Sequence, residues 1–353
     1  MKKTLIALLI GSVTYINTAS ACSEITHSFD SLGTYSARSM DFCSQLPTTL
    51  VAYPRGTQQK SNNTGNQALN WSAKYGYVTV NQPSINKDFA ADGVNEKGLA
   101  IHLLYMGETK QPALTNDKPI MDSYQWVHYV LGNYSNVTEV LNNINNYQIH
   151  TFPIQFGKED VVLPIHFAIE DKSGNSAVIE FVNNKLSIHQ QKNSVMTNEP
   201  NYNAQLSNLT KAKQSTQYSI EQLPGGADSA NRFVRMSYIN ENMPTTNNSS
   251  NAVSYMFSAI NSVTVPYFAN YQQACTRLND PAAGASDAWP TLWTTVTDLQ
   301  QPTLYINNTM VGNRVSVKLS EVNLNKGQAI KEFDTAQTNV NGDVSKLLTN
   351  QKS

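Results

Sequence analysis

The chain has 353 residues, of which 40% are hydrophobic and 14% charged, with a formal net charge of −1. The apolar share can fill a real core, and the near-neutral balance gives no sign of a nucleic-acid or anionic-membrane partner. Charged residues are scarce against the usual share of about 25%, so Asn, Gln, Ser and Thr carry the polar surface.

In chain order, Lys2-Lys3 is a positive start and Thr4 to Ile16 an apolar run too short to span a bilayer. Ala19 and Ala21 are the small residues that a secretory cleavage site requires. Together they predict a signal peptide over residues 1–21 and an exported chain, periplasmic or secreted, with a single domain over residues 22–353. A cysteine after the cut also admits lipidation. That signal takes Leu where this chain has Ala19, so lipidation is the minor alternative.

Ser23 to Asp30 and Leu32 to Ser39 alternate loosely around a turn and read as a hairpin. Thr48 to Tyr53 and Tyr75 to Val80 read as strands, with a polar exposed loop from Gln58 to Gly65 between them. Residues Asp92 to Gly98 form a turn, and Leu99 to Tyr105 continues as an apolar strand. Helical periodicity follows in Ser123 to Leu131 and Val137 to Ile144, with Ser135 as the N-cap of the second. Leu163 to Glu170, Ser176 to Val182 and Lys185 to His189 read as an antiparallel meander. Asn201 to Leu209, Ser229 to Ile239 and Ala252 to Val263 are helical, with Leu223 to Gly226 as a loop. Trp293 to Asp298, Thr303 to Ile306 and Arg314 to Leu319 are strands, and the polar tail from Thr338 frays. Helices between groups of antiparallel strands predict an α+β fold in which two sheets pack together with helices outside.

Cleavage after Ala21 would give Cys22 both a thiol and a free α-amine. A thiol attacks as its thiolate, with an ordinary pKa of about 8.5. An α-amine titrates at about 7.7 to 8.0, so part of it is unprotonated at neutral pH and can take the thiol proton. The predicted hairpin returns Arg38 and Asp41 to this end. A guanidinium would stabilise the thiolate and a carboxylate would orient the amine. The other cysteines, Cys43 and Cys275, either pair with each other or remain as two buried thiols. The six histidines show no metal-ligand spacing and read as core or solvated residues. Leu104, Tyr105 and Met106 read as core strand, although they could line an acyl pocket.

Cys22 followed by Arg38-Ser39-Met40-Asp41 resembles the choloylglycine hydrolase family of N-terminal-nucleophile hydrolases, which comprises bile salt hydrolases and penicillin V acylases. Asp92-Gly93-Val94-Asn95-Glu96-Lys97-Gly98-Leu99, Met196-Thr197-Asn198-Glu199-Pro200 and Leu223-Pro224-Gly225 with Ser229-Ala230-Asn231-Arg232-Phe233 match further stretches of that family in order. The resemblance runs from Cys22 to about Leu319.

It implies a four-layer αββα sandwich and a linear-amide C–N hydrolase that uses no metal or organic cofactor. Cys22 would be nucleophile and base, flanked by Arg38 and Asp41. Asn198 and the backbone N–H of Tyr105 would hold the oxyanion, and Arg232 would support the site. Tyr at position 105 resembles penicillin V acylases, whereas bile salt hydrolases carry Asn there. The export signal resembles the Gram-negative branch, whose candidate substrates extend to N-acyl homoserine lactones. The implied partner is a small amide with an apolar acyl group, and the implied assembly a homotetramer. A conjugated bile salt hydrolase is the rival within the class. An inactive or lipidated envelope binding protein of the same fold is the rival outside it.

Overall fold

The computed structural model describes residues 22–350 apart from 63–64, 157, 216–217 and 270–288. Strands β1 (Ser23–Phe29) and β2 (Gly33–Asp41) form the predicted hairpin. β3 (Thr49–Tyr53), β4 (Tyr77–Asn81), β5 (Ala90–Asn95) and β6 (Leu99–Tyr105) follow. Helices α1 (Trp126–Asn133) and α2 (Val137–Asn143) precede the meander β7 (Ile165–Asp171), β8 (Ser176–Val182) and β9 (Lys185–Gln190). Then come β10 (Val195–Thr197), α3 (Tyr202–Lys213), α4 (Ser229–Glu241) and α5 (Ser249–Asn261). β11 (Thr291–Asp298), β12 (Thr303–Asn308), β13 (Asn313–Lys318), β14 (Lys331–Asp334), β15 (Gly342–Asp343) and β16 (Thr349–Asn350) close the described chain.

One sheet has the order β10-β1-β2-β11-β12-β13-β15, and the other β9-β8-β7-β6-β5-β4-β3-β14-β16. Helices α4 and α5 pack on β1, β2, β10 and β11, while α1 and α2 pack on β5, β6 and β7. The layers therefore run helices, sheet, sheet, helices, as expected.

Side chains alternate across a strand, so each sheet turns one face to its helices and the other to the opposite sheet. Glu24, Arg38 and Thr295 lie in one cross-strand row on the inner face of the first sheet. Asp92 and His102 oppose each other in the second. The sheets are thus joined by a polar inner layer, in which Thr295 Oγ1 donates to Asp92 Oδ2 at 2.5 Å.

The motif from Asp92 to Leu99 is, against expectation, not a turn throughout: Asp92 to Asn95 belong to β5, and the chain turns only at Glu96 to Gly98. A Cβ on Gly93 would lie 2.7 Å from the Leu131 side chain of α1 and 2.8 Å from the Val78 carbonyl oxygen, a backbone atom that cannot yield. Asn95 Nδ2 donates to the Leu131 and Tyr134 carbonyls at the end of that helix, while its Oδ1 accepts from the N–H groups of Lys97 and Leu99. Glu96 pairs with Arg55. Gly98 has φ +79°. The motif is a structural clamp that launches β6.

Several expectations need correction. Asn136, and not Ser135, caps α2, accepting from Glu139 N–H at 2.9 Å. Ser135 instead donates to the Glu139 carboxylate. The expected loop after Gln58 begins with a strand, Gln58–Lys60, paired to Asn70–Ser72. As far as residue 350 the tail is not frayed, because β15 and β16 pair with β13 and β14. Val344 and Leu348 are buried there, anchors too isolated for periodicity to reveal. Cys43 is disulfide-bonded, which removes the free-thiol reading for it, and Cys275 lies outside the described residues.

Gly98→Ala should lower the melting temperature by several degrees in a thermal unfolding scan. A Cβ there would meet the Leu299 carbonyl oxygen at 2.1 Å, in a left-handed conformation that itself costs about 1–3 kcal/mol. An unchanged melting temperature would refute the assigned constraint.

Candidate active site

Cys22 enters β1, and the hairpin register pairs Ser23 with Ser39. That register carries Asp41 to the nucleophile candidate. Asp41 N–H donates to Cys22 Sγ at 3.5 Å, and the thiol donates to the Asp41 carbonyl at 3.6 Å. Cys22 is 4% exposed. Burial raises its thiol pKa, and the Arg38 guanidinium is the strongest opposing influence.

Burial also pushes the Asp41 carboxyl up to about 7, against the pull of Arg232 and hydrogen bonds from Thr291 and Ser39. The Ser39 hydroxyl donates to Asp41 Oδ2 at 3.2 Å and accepts from Ser23 N–H at 3.1 Å. Asp41 Oδ1 is a buried acceptor without a hydrogen-bond partner among the described residues. Arg38 does not hydrogen-bond the sulfur. It donates to the Leu103 carbonyl at 2.6 Å and to Met40 Sδ at 3.4 Å, and its guanidinium lies 4.8 Å from the Trp293 ring centroid. It acts on Cys22 as a nearby buried charge.

Tyr105 and Asn198 meet at the end of β6. Met106 N–H donates to the Pro164 carbonyl at 2.9 Å, while Tyr105 stands opposite Ile165. Pairs in an antiparallel ladder alternate between bonded and non-bonded. Tyr105 therefore turns its N–H and C=O away from β7. On that side β5 pairs with β6 only as far as His102, so the edge is open. Leu103 shares this orientation and its carbonyl accepts from Arg38. The Tyr105 carbonyl accepts from Asn198 Nδ2 at 2.6 Å. A side-chain amide has two N–H donors. Asn198 thus has a second donor beside the edge toward which Tyr105 N–H points.

Arg232, on α4, joins these parts. It donates to the Cys22 carbonyl at 2.7 Å, to Ser23 Oγ, to Asn198 Oδ1 at 2.9 Å and to the Ala227 carbonyl at 2.8 Å. α4 is positioned for this by Asp228, which caps it by accepting from Asn231 N–H. All six residues singled out from the sequence are brought together.

Sequence reasoning missed Ser23, Ser39, Leu103 and Trp293. Their roles depend on strand register and backbone direction, which carry no local signal. It also missed the buried cluster beneath the site. His102 Nδ1 lies 2.9 Å from Asp92 Oδ1, and its Nε2 hydrogen-bonds Glu170. Glu24, His102 and Glu170 could in principle ligate a metal. The His102 Nε2 is already engaged by Glu170, however, and its Nδ1 lies at ion-pair distance from Asp92 without forming a hydrogen bond. Despite burial, the Glu170 and Asp92 carboxylates push the His102 pKa well above the ordinary imidazole value. Despite burial, His102 holds the Asp92 carboxyl low. Burial and the Glu170 charge keep Glu24 well above the usual carboxylate range.

A sequence model of the linear amide C–N hydrolases, choloylglycine hydrolase family, matches residues 22–332. The chain is 32% identical over 247 residues to penicillin V acylase of Pectobacterium atrosepticum. That match covers 68% of this chain but only 64% of the relative's own length. It is 27% identical over 262 residues to a bile salt hydrolase/transferase of Lactiplantibacillus plantarum, covering 69% of this chain and 78% of that one. The solved structure of penicillin V acylase from Agrobacterium tumefaciens superposes with a TM-score of 0.78 at 26% identity, covering 94% of this chain and 98% of that one. With the four-layer sandwich and the matched motifs, these findings establish that the chain belongs to the choloylglycine hydrolase family of linear amide C–N hydrolases.

Proposed function

We propose that this protein is an exported linear-amide hydrolase whose nucleophile and base are both supplied by Cys22, once cleavage after Ala21 has freed its amine. The observation that carries the reading is the convergence on Cys22 of Asp41, Arg232 and Arg38, facing the Asn198 amide and the open edge at Tyr105.

The α-amine takes the thiol proton and the thiolate attacks the amide carbonyl. Asn198 Nδ2 and Tyr105 N–H receive the developing oxyanion. Such fixed donors typically account for about 10²–10³ in rate each. As the tetrahedral intermediate collapses, the protonated amine gives its proton to the leaving nitrogen and an acyl thioester remains. Water, deprotonated by the same amine, releases the acid. Arg38 lowers the cost of a buried thiolate, and the orphaned Asp41 Oδ1 fits an α-ammonium as its acceptor. Cleavage therefore switches the enzyme on, because the base does not exist before it.

Tyr105 and the relatives named penicillin V acylase favour an apolar acyl group, phenoxyacetyl in penicillin V or a fatty acyl chain on homoserine lactone. Bile salt hydrolysis is the second reading, favoured by the relative that bears that name.

A panel of penicillin V, N-acyl homoserine lactones and glycine- or taurine-conjugated bile salts, presented to the mature protein, tests this. The expected result is faster release of 6-aminopenicillanic acid or homoserine lactone than of taurine, with nearly all turnover lost in Cys22→Ser at an unchanged melting temperature. Turnover retained in Cys22→Ser, or an intact mass showing a diacylglyceryl group on Cys22, would sink the mechanism.

Asp41 gives a pH test. Its folded pKa of about 7 lies above the ordinary 3.8, so its contribution to stability is full below about pH 4 and lost as pH rises through 7. In urea unfolding, the uncleaved chain should lose stability across that window and its Asp41→Asn variant should lack that component. In the mature protein the α-ammonium lowers the Asp41 pKa, so the loss should shrink. Equal slopes in all three proteins would contradict the assigned contact.

A further inference from the structure

The turn after β10 and the turn after β6 come from different sheets, yet they are bonded residue by residue. Asn198 Nδ2 donates to the Tyr105 carbonyl at 2.6 Å. Glu199 Oε2 accepts from Gly107 N–H at 3.2 Å. Glu108 Oε2 accepts from the Asn201 N–H and Nδ2 at 3.2 and 3.3 Å. Beyond them, the Glu180 carboxylate accepts from Tyr202 N–H at 3.0 Å, fixing the start of α3. Asn198 sits on one side of this seam and Tyr105 on the other, and neither turn is tied to the opposite one by strand pairing.

Glu199 occupies the middle. It adjoins Asn198 in sequence, and its bond reaches the residue two positions after Tyr105. Gly107 lies between the Tyr105 ring and the Glu199 carboxylate, since a Cβ there would be 3.5 Å from the phenol oxygen and 3.9 Å from Glu199 Oε2. The Glu108 bonds and the Glu199–Gly107 bond are all exposed, where charge contacts contribute little to stability, but only the Glu199 bond joins the two residues that flank the oxyanion donors. A carboxylate beside a developing oxyanion opposes it electrostatically. The same charge helps hold the buried Arg232 guanidinium charged, so the Glu199→Gln variant is what separates the bond to Gly107 from the charge.

We propose that Glu199 is a positioning residue whose bond to Gly107 N–H sets the spacing between the two oxyanion donors, and that it acts on kcat and not on KM. The role rests on the oxyanion reading of Asn198 and Tyr105 given above. A misplacement of about 1 Å in such a site costs about 10²-fold in rate.

The test is kinetics of the mature protein on the best N-acyl amide of the panel, with Glu199→Ala, Glu199→Gln, Gly107→Pro and the Glu199→Ala/Gly107→Pro double variant. Glu199→Gln keeps an acceptor oxygen without the charge, and Gly107→Pro removes the N–H while leaving Glu199 in place. Glu199→Ala and Gly107→Pro should each lose about 10- to 100-fold in kcat with KM within about two-fold. The double variant should lose no more than either alone, and Glu199→Gln should retain wild-type kcat. Wild-type kcat in Glu199→Ala, equal losses in the Ala and Gln variants, or a change confined to KM would overturn the proposal. Hydrogen exchange at Gly107 gives a second readout. Exchange unchanged by Glu199→Ala, in a protein that still turns over, refutes the positioning alone. A wild-type protein that cleaves no N-acyl amide refutes the oxyanion reading and this role with it.

Discussion

A single guanidinium sets the geometry of this molecule's centre. Arg232 is fully buried on α4 and reaches the Cys22 carbonyl, the Ser23 hydroxyl and the Asn198 amide oxygen. Those groups belong to the start of β1 and the turn after β10, which antiparallel pairing of Ser23 with Thr197 already sets side by side. Arginine suits this task because its planar fork offers several donors in fixed directions. Burying it is costly, and the nearby Asp41 and Cys22 offset the cost. Orientation then passes outward. With its oxygen held by Arg232, Asn198 must present its NH₂ to the Tyr105 edge.

The space between the sheets serves a different purpose from an ordinary core. It holds Arg38, Glu24, Asp92, His102 and Glu170, all buried. In such a layer a lone charge would be prohibitive, so charges occur together and the Glu24 carboxyl is pushed well above the usual carboxylate range. Asp92 ends this chain of contacts on Thr295 of the opposite sheet. The layer thereby fixes how the sheet bearing Cys22 sits over the sheet bearing Tyr105, and it keeps a permanent cation in the neighbourhood of the thiol.

What the sequence revealed follows from what is local. The hairpin from Ser23, the meander and the five helices were legible because alternation and helical periodicity are short-range signals. Cys22, Arg38 and Asp41 were legible because the hairpin register carries Asp41 to Cys22 and Arg38 to the neighbouring row. Asn198, Tyr105 and Arg232 were reached through resemblance, since nothing in their neighbours tells of a meeting across two sheets. β14 was missed because Lys331–Asp334 buries only Phe333. The roles of Leu103 and Ser39 were missed because a backbone carbonyl and a small hydroxyl acquire meaning only from their partners. The clamp motif from Asp92 to Leu99 was recognisable as a pattern, but its reasons, close packing at Gly93 and the ties of Asn95, required coordinates.

The central claim is that the Cys22 sulfur, activated by its own amine, carries the acyl group. Rapid acid quench of the mature protein during turnover of a phenoxyacetyl amide, followed by peptide mass analysis, tests it most directly. The account predicts one phenoxyacetyl group in thioester linkage on the peptide that begins with Cys22, and none on a variant in which an extra residue precedes Cys22. An acyl group on any other residue, or full labelling and turnover with the α-amine blocked, would contradict it.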